Sequence, residues 1–88
     1  MVTKQEAEKV FSDLKTKYKN YPEFKEAKLV KDWQYMGWRN GKAEYYEPVP
    51  YAIIWEAGPD EWAYRASTEV PGVDVEAFTS WTLAIYED

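Results

Sequence analysis

Ala7, Val10, Phe11, Leu14 and Tyr18 recur at helical spacing, and the chain that follows them is written almost wholly in strand and turn chemistry. A stripe of that width must face a core. Thr3 with Glu6 three residues on forms a capping box at its start, since the hydroxyl can accept from the Glu6 N–H while the carboxylate reaches back. Lys15, Lys17 and Lys19 sit where the helix dipole favours cations. Asn20 fits a left-handed cap, and Pro22 prevents continuation. The spacing therefore predicts a helix over residues 4–19, with one further turn opened by Pro22.

From Lys28 onward the pattern changes. Residues 29–38 read as a strand, and Asn40-Gly41 is the strongest short hairpin signal in the chain, because both centres of a type I′ turn need positive φ. Ala43–Tyr46 would return. Glu47-Pro48-Val49-Pro50 reads as a connector or an edge, since two prolines cannot donate ladder bonds. Tyr51–Glu56 is short, apolar and β-branched, the mark of a central strand. A turn at residues 57–60 would lead into Glu61–Ala66, whose alternation predicts a second hairpin strand. Pro71-Gly72 marks another turn or loop, Asp74–Phe78 is ambiguous between a helical turn and a loop, and Thr79–Tyr86 reads as the last strand.

Helix first and strands after it, joined by hairpin-length links, give an α+β fold: one N-terminal helix packed on a four- to five-stranded antiparallel sheet. Residues 1–88 make one domain. The helix stripe needs an apolar sheet face, which Ile53, Trp55, Trp62 or Ala63, and Leu83 can supply. The reverse face would then hold aromatics with no second helix to cover them, and would be solvated, a binding surface or a homodimer contact.

Leucine is scarce, and five Trp, eight Tyr and three Phe take its place. A buried ring removes about 150–250 Å² from water, so a few can build a small core. The net charge of −5 hides a division: residues 1–42 carry ten bases against six acids, and residues 43–88 carry Arg65 against ten acids. The acid surplus argues against nucleic-acid phosphates as a partner. No run reaches the ~20 apolar residues of a membrane span, and the N-terminus has no apolar leader, so a cytoplasmic setting is expected.

The chain has no Cys and no His. Thiolate and imidazole chemistry, and the usual zinc donors, are therefore excluded. Ser12, Ser67 and Ser80 lack a His to activate them. Asp60-Glu61 reads as turn chemistry, and Asp74 with Glu76 does not fit a calcium loop. Gly37, Gly41, Gly58 and Gly72 are isolated, so no phosphate-cradling loop exists. The expectation is a non-enzyme with no catalytic residue, metal or cofactor.

Binding is better supported. Trp33, Tyr35, Trp38, Tyr45 and Tyr46, flanked by Glu44 and Glu47, form an aromatic and acidic set on the first hairpin, suited to a basic or proline-containing protein partner. An acidic mimic of nucleic acid and a self-assembling component are the alternatives.

The runs Tyr51–Ala66 and Ser80–Tyr86 resemble small accessory proteins of bacteriophages that infect actinobacteria. The resemblance covers about the last 40 residues, one of short runs rather than of a defining motif. It implies a phage product in the bacterial cytoplasm that binds and modulates a host protein, and it carries over no site residue.

Overall fold

The computed structural model describes residues 2–39, 42–56, 61–77 and 81–85, with the backbone alone described for 35–39, 42–47, 76 and 77. In chain order the elements are α1 (Lys4–Lys17), a 3-10 turn (Pro22–Glu26), β1 (Lys28–Arg39), β2 (Lys42–Trp55), α2 (Glu61–Glu69), β3 (Val73–Ala77) and β4 (Trp81–Ile85). The four strands form one antiparallel sheet in the order β1-β2-β4-β3. The α+β class and the helix-on-sheet arrangement are as the sequence predicts, with a second, short helix added.

The α1 start follows its sequence signal closely. The Thr3 hydroxyl accepts from the Glu6 N–H at 3.1 Å, and the Glu6 carboxylate accepts from the Thr3 N–H at 3.4 Å. Its end comes earlier than expected. Tyr18 is the cap residue, with its N–H bonded to the Leu14 carbonyl, and Tyr18 itself is buried. Asn20 does not serve as a left-handed cap, because among the described non-glycine residues only Asp32 has positive φ. Burial of the Tyr18 ring fixes the helix end more firmly than cap chemistry at Asn20.

The segment Glu61–Ala66 is helical, which corrects the second-hairpin expectation. Two physical reasons decide it. Trp62, Ala63 and Ala66 are all fully buried, a spacing that one helix face satisfies and an alternating strand does not. The topology also demands a crossover. Strands β2 and β3 both run antiparallel to β4, so they are parallel to each other, and parallel strands need a long connection rather than a tight turn. Helix α2 is that connection, in a split β-α-β unit with β4 slotted between. Gly72, at φ 79°, turns the chain from α2 into β3, a conformation that costs glycine nothing. Of the ambiguous stretch after it, Asp74–Ala77 belongs to strand β3, and Phe78 lies outside the described residues.

Both helices pack on the same sheet face. One cluster joins Ala7, Leu14 and Tyr18 of α1 with Trp62, Ala63 and Ala66 of α2, and with Ile53, Trp55, Leu83, Ile85 and Val73 of the sheet. Trp62 is its centre: its ring centroid lies 4.2 Å from Phe24, 4.4 Å from Trp55 and 5.9 Å from Tyr18. Trp81 stacks on Trp55 at 6.1 Å, and Tyr64 closes on Trp81 edge-on at 5.3 Å. The aromatic core expected from composition is thus concentrated on the helix side.

The reverse face of the four-stranded region differs from the aromatic surface expected there. Val30, Ala52 and Ala84 lie in register across β1, β2 and β4, with Ile54 beside them, and the two alanines are fully buried. Small side chains on this face are covered by their own neighbours, Trp33 and Val49 among them. Trp33 is the one aromatic that the described side chains place there.

Candidate binding surface

Strand β1 has 12 residues and β2 has 14, whereas β4 has five. Pairing between β2 and β4 stops at Tyr51 with Ile85, so residues 42–50 of β2 have β1 as their sole strand neighbour among the described residues. The outer half of the hairpin is therefore a two-stranded ribbon. From Trp33 to Arg39 it extends roughly 20 Å at the usual strand rise.

A break in both strands marks where the ribbon leaves the sheet. Lys31 pairs with Tyr51 and Trp33 with Val49, but the intervening pair, Asp32 with Pro50, is missing. Pro50 has no N–H to donate, and Asp32 opposite it adopts φ 56°. Side chains three apart on a regular strand face opposite ways. Here Val30 and Trp33 pack in one cluster, as do Val49 and Ala52. Both strands thus exchange faces at the same step, and the ribbon continues with inverted facing. The Pro48-Val49-Pro50 stretch, expected as a connector or an edge, is strand within β2, and its prolines fall where β4 no longer needs their N–H groups.

Every residue singled out on the first hairpin lies on this ribbon. Trp33 is half-buried at its base, against Val49, Ala52 and Ala84. The register sets Tyr35 opposite Glu47, Met36 opposite Tyr46 and Gly37 opposite Tyr45. It then shifts between Gly37 and Trp38, so that Trp38 opposes Ala43 and Glu44 is the extra, bulged residue. Arg39 opposes Lys42, which leaves a two-residue connection, and Asn40-Gly41 themselves lie outside the described residues. The side chains of Tyr35, Trp38, Glu44, Tyr45, Tyr46 and Glu47 also lie outside what is described. What the structure brings together is their backbone positions, on one ribbon with bare edges among the described residues.

Other surface chemistry clusters around the 3-10 turn. On one side a cavity of about 340 Å³ is lined by Pro22, Glu23, Glu26 and Glu56. On the other a cavity of about 330 Å³ is lined by Lys15, Lys19, Tyr21, Phe24 and Lys25. Sequence reading missed both: the first joins the turn to Glu56 at the end of β2, and the second, though local in sequence, depends on how the turn folds back beside the end of α1. Among the described residues no group of three carboxylates is arranged to hold a metal ion, and no helix is long and apolar enough to cross a membrane. Tyr64 is the one large apolar side chain among them that is mostly exposed, at 56%.

Besides the looser pair of Lys4 with Glu8 at 3.9 Å, two ionic contacts of the helices are also hydrogen bonds. Lys9 donates to Asp13 at 2.8 Å, and Lys17 on α1 donates to Glu69 on α2. Each lysine is held above its ordinary pKa of 10.5, chiefly by that hydrogen bond. The Lys17 contact uses an acid of the second half to tie the two helix ends together.

No family model, curated protein or solved structure matches this chain.

Proposed function

We propose that this chain is a non-enzymatic protein-binding domain that docks a partner bearing basic side chains through the β1–β2 ribbon. The observation that carries the reading is the ribbon's lack of a third strand among the described residues. Five aromatic residues, Trp33, Tyr35, Trp38, Tyr45 and Tyr46, fall on that segment. An isolated two-stranded ribbon is only marginally stable in water. Aromatic side chains there supply contact area at low entropy cost, and free strand edges can accept a further strand. Glu44 and Glu47 select for positive charge. In the setting that the phage resemblance implies, the partner is a host protein in the bacterial cytoplasm, and binding modulates it.

The test compares wild type with a Trp38→Ala/Tyr46→Ala variant, each immobilised and exposed to actinobacterial lysate. The reading expects a protein retained by wild type and lost by the variant while circular dichroism shows the same fold. Retention of the same proteins by both would overturn the assignment of the ribbon. A concentration-dependent dimer abolished by the same substitutions would show that the ribbon's partner is a second copy instead.

A further inference from the structure

The lysines of the first 25 residues divide into two groups. Lys4 pairs with Glu8, Lys9 with Asp13 and Lys17 with Glu69. Lys15, Lys19 and Lys25 have no carboxylate within ion-pair distance among the described residues, and these three converge on the cavity of about 330 Å³ beside the 3-10 turn. Lys15 instead rests its ammonium 4.2 Å from the Phe11 ring centroid. Half-buried Tyr21 gives the cavity its accessible aromatic lining, and buried Phe24 also lines it with its ring against Trp62.

We propose that this cavity binds a phosphate-bearing aromatic compound of the nucleotide type, with its ring against Tyr21 and its phosphate among Lys15, Lys19 and Lys25. The cavity is at the small end of the usual range for ligand sites, which suits one mononucleotide and nothing larger. The charge balance is local. The end of α1 contributes about half a negative charge, which opposes an anion, and three full positive charges outweigh it. Lysine serves phosphate as a mobile point charge, and unpaired ammonium groups need lose no acid partner to do so. An aromatic lining favours a compound with a ring over inorganic phosphate alone. The site is built from the end of α1, the 3-10 turn and the residues between them, so it stands or falls separately from the ribbon.

The experiment titrates the isotopically labelled full chain at low salt, following backbone amide shifts. Its probes are adenosine monophosphate, inorganic phosphate, uncharged adenosine and a short single-stranded oligothymidylate. Saturable shifts at Lys15, Lys19, Tyr21 and Lys25 are expected with adenosine monophosphate, which should bind more tightly than phosphate or adenosine. The Lys15→Gln/Lys19→Gln/Lys25→Gln variant should bind roughly tenfold more weakly or worse. A Lys4→Gln/Lys9→Gln/Lys31→Gln variant, with the same loss of charge, should change affinity by less than about twofold. Tighter binding of the oligonucleotide at the same amides would identify a nucleic-acid strand as the source of the ring and phosphate, and weaker binding a free nucleotide. The proposal is overturned if the mononucleotide gives no saturable shifts. It also fails if phosphate alone binds as well, or if the two triple variants weaken binding equally.

Discussion

Replacing Trp62 with alanine tests the packing on which the fold depends. The side chain is fully buried on α2, and its ring has three aromatic neighbours, Phe24, Trp55 and Tyr18, with centroids within 5.9 Å. Truncating a buried Trp costs about 3–5 kcal/mol, because the transfer free energy is lost and a cavity remains. Three rings that cannot collapse into the space place this site near 4–5 kcal/mol. A domain of this length has a total stability of roughly 4–13 kcal/mol, so the variant should lose about a third of it or more. With a urea dependence of ~1 kcal/mol per molar, the midpoint should fall by about 4–5 M. Far-UV circular dichroism is the suitable probe, since the substitution alters tryptophan emission directly. Two companions sharpen the result. Trp81→Ala removes a half-buried ring stacked on Trp55 and should cost about 2 kcal/mol. Trp62→Phe should cost under about 2 kcal/mol, because it also removes an indole N–H that is buried without a protein partner. A Trp62→Ala variant no less stable than Trp81→Ala would refute the placement of Trp62 at the centre of the core.

The remaining predictions follow from single residues. Thr68 is exposed on α2 and bonds back to the Arg65 carbonyl; Thr68→Ala should stabilise by about 0.3–0.7 kcal/mol in urea unfolding if the segment is helical, whereas a strand would be weakened, so the sign alone decides. Asp32 is held at φ 56°, so Asp32→Gly should stabilise by up to about 1 kcal/mol and Asp32→Val should destabilise by more than that; equal midpoints for the two would remove the face exchange as the reason for the ribbon. Lys17 has its pKa raised in the folded state by Glu69, so its contribution is complete below 10.5 and is lost as pH rises through the elevated folded value. The difference in stability between wild type and Lys17→Gln should therefore shrink at alkaline pH, and a difference that stays constant there would show that the pair adds nothing.

The parts of the fold that follow from short-range rules are legible in the sequence. The capping box at Thr3 and Glu6 needs four residues, and the pairing of Arg39 with Lys42 follows from a two-residue turn signal. Glu61–Ala66 is different. Its Trp-Ala-Tyr-Arg-Ala run alternates well enough to pass for a strand, and the length is too short for helical periodicity to exclude that. What makes it a helix is the sheet order, because β3 runs parallel to β2 and must be reached by a crossover. Sheet order is a property of the whole chain, and no local window contains it. The ambiguity at Asp74–Ala77 has the same origin, since β3 is an edge strand paired with β4 alone among the described residues.

The site follows the same division. That Trp33, Tyr35, Trp38, Tyr45 and Tyr46 share one hairpin is readable from Asn40-Gly41 and the strand composition. That this hairpin outruns the sheet is not, because it depends on where β4 stops. The two prolines that argue against a strand turn out to explain the geometry. A proline in β2 next to β4 would break a ladder bond, but at positions 48 and 50 β2 has not yet reached β4, whose pairing starts at Tyr51, so the missing N–H groups cost nothing on that side. On the other side Pro50 leaves Asp32 unpaired, and Asp32 absorbs the loss by turning through the left-handed region. The face exchange then places Trp33 and Val49 over Ala52 and Ala84, which closes the reverse face of the sheet with the base of the ribbon itself. The same two residues therefore seal the core and set the ribbon's facing. Asp32 is thus the position at which a change in stability and a change in ribbon binding should appear together.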